Sequence, residues 1–258
     1  MQREHIVSVD PALCTKCGLC QKDCPFEIII MTENGAEVTA PKCAKCGHCV
    51  AICPAQAVSI SGFEDEPEDI ASLPALDPEA LMAKIKSRRS MRQFTDQEVA
   101  PELIEQIIEA GRLTPTARNI QGTSYVVLRD NISEYERIAV RALRRLRPLI
   151  VLIMRRPNGF EIGDRFFFKG APVAIVIKSN SMVDGALAAS LMEIMAQSLG
   201  LGVLYSGFFT IAAGLPGKIK RKMALARGEK VVTTLVIGHP AVTYRRTAQR
   251  ESARVIYD

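Results

Sequence analysis

Apolar and polar positions follow two rhythms along this chain, and the change between them marks its organisation. Residues 5–9 (HIVSV) and 57–60 (AVSI) are short bursts of strand character that bracket a cysteine-rich segment. Residues 62–69 (GFEDEPED), with Pro74 and Pro78 beyond, have few apolar groups to pack and read as a linker or extended strap. Asp77-Pro78-Glu79 then has the form of a helix start, with Asp as N-cap and Pro in the first turn. Residues 78–89 and 101–113 repeat their apolar positions at helical spacing; in the second, Leu103, Ile104, Ile107 and Ile108 share a face. Residues 124–129 predict a strand and 132–147 a strongly basic helix, while 171–178 and 230–238 are β-branched runs suited to buried strands. Helices are expected over about 183–199 and near 216–227, and an extended arm over 241–258. Helices and strands interleave without a regular βαβ repeat, which predicts an α+β fold over a doubly wound sheet. The implied division is a small domain at 1–62, a linker at 63–78 and a large domain at 79–258.

The eight cysteines change this picture most. They form two identical frames, Cys14, Cys17, Cys20, Cys24-Pro25 and Cys43, Cys46, Cys49, Cys53-Pro54, each reading C-x2-C-x2-C-x3-C-P and offset by 29 positions. Three thiolates two residues apart, on a loop that turns back on itself, reach three corners of one iron–sulfur cube. Gly18 and Gly47 permit the tight backbone, and Pro25 and Pro54 turn the chain away. Zinc calls for pairs of ligands in place of overlapping triplets, and disulfides call for an oxidising compartment to which nothing here points. The spacing resembles that of two-cluster bacterial ferredoxins, in which the fourth cysteine of each run ligates the other cluster. The expected assignment is Cys14, Cys17, Cys20 and Cys53 on one [4Fe–4S] cluster, and Cys43, Cys46, Cys49 and Cys24 on the other.

Charge separates the two parts. Residues 79–258 hold 28 Lys and Arg against 16 Asp and Glu, a local surplus masked by a whole-chain net charge of +5. Such a surplus suits an anionic cofactor, an anionic substrate or an acidic redox partner. Nucleic acid is disfavoured: no recognised binding motif is present, and the chain has no Trp and few aromatics for stacking. The longest aliphatic runs, 149–154 and 173–177, are too short to span a bilayer, and the first ten residues contain no apolar signal-like stretch. The expectation is a soluble protein of a reducing cytoplasm.

Four segments of the large domain have the chemistry to bind a phosphorylated cofactor. Arg88-Arg89-Ser90-Met91-Arg92 offers guanidinium forks and a hydroxyl. The polar loop from Pro115 and Thr116 to Asn119 and Gln121 could read the edge of a ring. The glycine-rich run 200–207 lets backbone approach a planar ligand, and Arg245 and Arg246 add positive charge. Taken singly, a basic helix end is also an ordinary solvated cap, and glycines near 200–207 are also an ordinary helix stop.

In this order, however, Arg88-x-Ser90-x-Arg92-x-Phe94, Pro115-Thr116-x-x-Asn119-x-Gln121, the Gly-Leu-Gly segment, the strand ending Gly238-His239-Pro240 and the arginine-bearing tail resemble the nitroreductase family of FMN-dependent flavoproteins. The whole chain resembles a ferredoxin–nitroreductase fusion of the kind found in anaerobes: a small 2[4Fe–4S] domain followed by an FMN-binding α+β sandwich. The resemblance implies that Arg88, Ser90 and Arg92, with Arg89 beside them, hold the FMN phosphate and ribityl chain, completed by Arg245 or Arg246. It implies that Asn119 and Gln121 face the flavin and that backbone N–H groups of Ser206 or Gly207 approach N5. It also implies a homodimer with FMN at the subunit interface and the C-terminal arm wrapped on the partner. Two departures bear on substrate preference: Gly122-Thr123 stands where many relatives have Pro-Trp, and Ser206 where many have an acidic or aromatic residue.

The expected function is an iron–sulfur flavoprotein oxidoreductase. Electrons would pass from two [4Fe–4S] clusters to FMN and on to a small acceptor such as a nitroaromatic, quinone or activated alkene. The donor would be a ferredoxin or NAD(P)H, and Tyr205 and His239 are candidate proton donors. The alternatives are an electron-transfer module for a protein partner, and a flavin- or ligand-binding redox sensor without turnover.

Overall fold

The computed structural model describes residues 5–39, 43–154, 161–215 and 217–258, with side chains of 147–154 excepted. The chain divides into two compact units: residues 1–76 with 116–120, and residues 77–115 with 121–258. Residues 1–4 of the expected small domain, and residue 216 of the expected helix near 216–227, lie outside the described set.

The first unit repeats itself. Strand β1 (Val7–Val9) pairs antiparallel with β4 (Val58–Ile60), so the two ends of the cysteine-rich segment close on each other. Between them come α1 (Leu19–Lys22), the hairpin β2 (Ile29–Thr32) to β3 (Gly35–Val38), and α2 (His48–Ala51). The 29-residue offset of the cysteines governs the backbone as well. Left-handed φ values recur at Lys16 (56°) and Lys45 (57°), at Gly18 (76°) and Gly47 (74°), and at Glu27 (52°) and Gln56 (51°). Gly18 and Gly47 are the N-caps of α1 and α2, positions whose positive φ a side chain would strain. The β2–β3 hairpin was not anticipated; its signal is Asn34-Gly35 between apolar runs. The stretch expected as a linker clusters with this unit as far as Leu76: Phe63 lies tilted against His5 with ring centroids 4.4 Å apart, and Asp69 caps a short 3-10 turn at Ile70–Ser72.

The second unit is a sheet covered on both faces. Its order is β5 (Thr123–Leu128), β6 (Val173–Ser179), β8 (Lys230–Gly238) and β7 (Gly202–Tyr205), antiparallel throughout. This is the α+β arrangement expected. Helices α4 (Pro101–Arg112) and α6 (Met182–Ser198) cover one face, where Ile104, Ile107 and Met192 meet Ile175, Ile177 and Leu235. The other face packs Ala174, Val176 and Val236 against residues of α5 (Ile132–Met154), α7 (Gly207–Gly214) and α8 (Lys218–Lys222). Burial on both faces explains why β6 and the end of β8 read as continuous apolar runs and not as alternating ones. Each fully buried Ile or Val contributes about 1.5–3 kcal/mol relative to exposure. Helix α3 (Pro78–Ser87) starts as expected, with the Asp77 carboxylate accepting from Glu79 N at 3.0 Å. The expected helix near 216–227 is only the five-residue α8, and the tail beyond Gly238 has no regular element apart from a bridge at Pro240. Among the described residues no helix is long and apolar enough to cross a membrane.

Candidate functional site

The eight thiols line two small adjacent hollows of the first unit. Cys24, Cys43, Cys46 and Cys49 line the first; Cys14, Cys17, Cys20 and Cys53 line the second. Each cavity thus draws three cysteines from one frame and the fourth from the other. Among the described residues no three His, Cys, Asp or Glu converge as around a single metal ion. Backbone donors already point at sulfur: Lys45 N reaches Cys43 Sγ at 3.2 Å and Ala57 N reaches Cys53 Sγ at 3.3 Å. Backbone hydrogen bonds from Ala36 and Lys16 lower the Cys14 thiol below its usual range. Burial instead raises Cys20, and pushes Cys49 up to about 11. Iron bound at either hollow would stabilise the thiolates that burial disfavours. The donor set therefore fits two [4Fe–4S] clusters.

The arginine motif of the second unit is fixed on the sheet edge. Ser90 bridges Val203 of β7, Met91 N donates to Val203 O at 2.9 Å, and Phe94 bridges Pro240. Thr95 N donates to His239 O at 2.9 Å and Ala241 N to Gln93 O at 3.0 Å, so the segment runs from β7 to the end of β8. Two glycines make room for it. A Cβ on Gly202 would lie 2.7 Å from Met91 Cγ, and one on Gly238 would lie 3.0 Å from Phe94 Cδ1.

The individual side chains divide by environment. Arg88 donates to the buried carboxylate of Glu193 at 3.0 Å, a carboxylate that also accepts from Gln197 at 3.2 Å. Arg89 lies 6.0 Å from the Tyr244 ring, whereas Arg92, Arg245 and Arg246 are exposed. Ser206 N donates to Thr234 O and its hydroxyl to Phe167 O, both at 2.9 Å, so Ser206 is fully engaged in packing. Gly207 opens α7, is exposed, and has nothing within 4 Å of an added Cβ, leaving backbone there open to a ligand. Tyr205 donates to Ala189 O at 3.1 Å; burial and the Glu193 carboxylate hold its proton on far above the usual phenol range. His239 is half-buried at the end of β8. Glu193 was missed from sequence, where one Glu in an apolar helix gives no sign of its partner 105 residues away.

The polar loop from Pro115 to Gln121 behaves differently. Pro115 and Gln121 belong to the second unit, but Thr116–Ile120 cluster with the first. Asn119, which the resemblance puts beside a flavin, gives its side-chain amide to Ala44 O at 3.2 Å and Lys45 O at 2.7 Å. Gln121 leads directly into β5, which is one edge of the sheet, while Ser90 and Gly207 border β7, the other edge. Three strand spacings, about 14 Å, separate those edges.

Residues 85–239 match the model of the nitroreductase family, and residues 6–54 match that of the 4Fe-4S dicluster domain. The chain belongs to the nitroreductase family and carries a 4Fe-4S dicluster domain ahead of it. Over 170 residues it is 27% identical to a putative NADH dehydrogenase/NAD(P)H nitroreductase of Methanothermobacter thermautotrophicus, covering 62% of this chain and 78% of the relative. An FMN reductase (NADPH) of Bacillus subtilis is 26% identical over 178 residues, with coverage of 61% and 64%. The fold is similar to that of a nitroreductase with bound FMN from Bacteroides fragilis, at 15% identity and TM-score 0.56, over 69% of this chain and 98% of that one. A second FMN-bound nitroreductase, from Desulfitobacterium hafniense, has TM-score 0.55 at 20% identity, over 69% and 97%.

Proposed function

We propose that this chain is an FMN-dependent oxidoreductase whose own pair of [4Fe–4S] clusters feeds electrons to the flavin for reduction of a small acceptor. The observation that carries the reading is the union, in one polypeptide, of two four-cysteine cavities with a nitroreductase-family unit. When bound, the clusters would supply single electrons and the flavin would gather two for delivery as a hydride. The relatives that bind or reduce FMN, by name, support the choice of flavin.

In this reading Ser90 and Arg92 grip the FMN phosphate and ribityl chain, and Arg245 or Arg246 closes the phosphate site. Arg88, already held by Glu193, presents a fixed guanidinium edge to the same ligand. Gly207 offers the open backbone needed beside the ring. Exposed cations beside the bound flavin would favour its reduced, anionic form and the negative charge that develops on a nitro or carbonyl oxygen. Gln121 and Pro115 reach the same flavin from a second copy, since the edges that bear the two residue sets lie on opposite sides of one sheet. Exposed apolar stripes support that second copy. Val183, Leu187 and Leu191 share a face of α6, and Phe208 and Ile211 lie exposed on α7, with Leu215 exposed just past its end.

A second reading, donation to or from an acidic redox protein, is favoured by one feature. Arg137, Arg141 and Arg145 form an exposed row at i, i+4, i+8 on α5. Transfer to such a partner would fall steeply with salt.

Arg92→Ala separates flavin binding from cluster binding. It should release FMN, read by absorbance after desalting, with about eight irons per chain retained. Flavin that stays bound would move the phosphate site elsewhere. Arg92 is the cleaner choice over Arg88, whose loss strands the buried Glu193 carboxylate at a cost of about 3–5 kcal/mol.

A further inference from the structure

The first unit is built as two copies of one motif, with the same left-handed positions and the same short helices 29 residues apart. Two clusters in such a frame would meet nearly equal surroundings. One side-chain contact distinguishes the two cysteine loops directly. Asn119 Nδ2 donates to the carbonyls of Ala44 and Lys45, the two residues between Cys43 and Cys46. The corresponding residues of the other loop are Thr15 and Lys16. Among the described residues no side chain donates to their carbonyls, and Lys16 instead donates its own ammonium to Glu33 O.

The backbone that presents Asn119 is unusual. Arg118 and Asn119 both adopt left-handed φ, 54° and 52°, inside the short 3-10 turn Ala117–Asn119, braced by Asn119 N on Thr116 O at 3.0 Å. Each left-handed non-glycine residue costs about 1–2 kcal/mol, less for Asn, so the conformation persists because contacts over-determine it. Resting on the reading that both cavities hold [4Fe–4S] clusters, we propose that Asn119 is a positioning residue that makes the Cys24, Cys43, Cys46, Cys49 cluster easier to reduce than its twin.

The physical basis is local charge. The Ala44 and Lys45 carbonyls carry partial negative charge within the loop whose cluster gains an electron on reduction. An amide donor on both oxygens offsets that charge and keeps the loop from opening. Cluster potential follows the dipoles, hydrogen bonds and solvent access around it. The two clusters then stand in a downhill order, set by a residue 74 positions away from the loop it touches.

The test is an anaerobic redox titration of the full-length holoprotein, followed by electron paramagnetic resonance, for wild type, Asn119→Ala and Asn119→Asp. Paramagnetically shifted cysteine β-proton signals identify which cluster responds. Two resolved steps are expected in the wild type. The higher one should fall in Asn119→Ala and fall further in Asn119→Asp, with the other step unmoved and the responding signals those of Cys24, Cys43, Cys46 and Cys49. No shift, an equal shift of both steps, a rise, or a response from the Cys14 set would overturn the proposal. Loss of iron from both variants would overturn it, since the residue would then hold the loop together and not tune its cluster. Wild-type protein lacking the [4Fe–4S] signature would instead remove the cofactor reading on which it rests.

Discussion

Tyr125 shows how a single side chain can work against the fold that holds it. Its hydroxyl is buried with no hydrogen-bond partner among the described residues, and burial pushes the phenol up to about 12. A buried donor without a partner costs about 1–3 kcal/mol. Tyr125→Phe should therefore raise stability by up to about 1 kcal/mol, read as a higher denaturant midpoint at unchanged slope. A lower midpoint would mean that the hydroxyl has a partner after all, such as an ordered water. Gly111 packs against the same ring: a Cβ there would lie 2.6 Å from the hydroxyl oxygen. At this scale the cysteines and the arginine motif were legible, because their chemistry depends on spacing within a few positions. The Arg88–Glu193 and Asn119–Lys45 contacts were not, because they join residues 105 and 74 positions apart. Only the fold brings them together.

Among the elements, β7 decides where the arginine motif lies, and the sequence shows it only as part of the glycine-rich run 200–207. The strand spans only Gly202–Tyr205, too few residues for a period of two to emerge between flanking glycines. Helix α7 escaped for a related reason: Gly207–Gly214 (GFFTIAAG) is apolar nearly all round, so no polar face marks its turns. Long elements with one clear period, α4 and β5 among them, fell within a residue or two of expectation. The missed strand carries a prediction. Gly202→Ala sets a methyl 2.7 Å from Met91 Cγ and must displace the segment that Met91 anchors on Val203. The overpacking should cost about 1–3 kcal/mol and weaken FMN retention while iron content holds. Stability and flavin both unchanged would show that the motif does not depend on this edge.

For the molecule as a whole, the sheet carries its candidate flavin residues on opposite edges, and the proposed site is complete only with a second chain. A paired substitution on the exposed α6 stripe, Val183→Glu with Leu187→Glu, should convert a dimer to monomer in sedimentation and release FMN together with the dimer. The clusters should stay, since every cysteine lies in the other unit. A monomer that keeps its flavin would return the site to one chain. The charge division has the same logic at this scale: acidic residues gather at 63–78, and the surplus of bases lies beyond. Composition made that division readable without any structure.

The most direct measurement mixes anaerobic, FMN-loaded protein with sub-stoichiometric dithionite in a stopped-flow instrument and follows cluster and flavin absorbance separately. Fast reduction of the clusters should come first, followed by flavin bleaching at a rate independent of protein concentration, and then reoxidation on adding a nitroaromatic or quinone. Clusters that stay reduced beside an oxidised flavin, or bleaching that scales with protein concentration, would contradict electron transfer within the assembly.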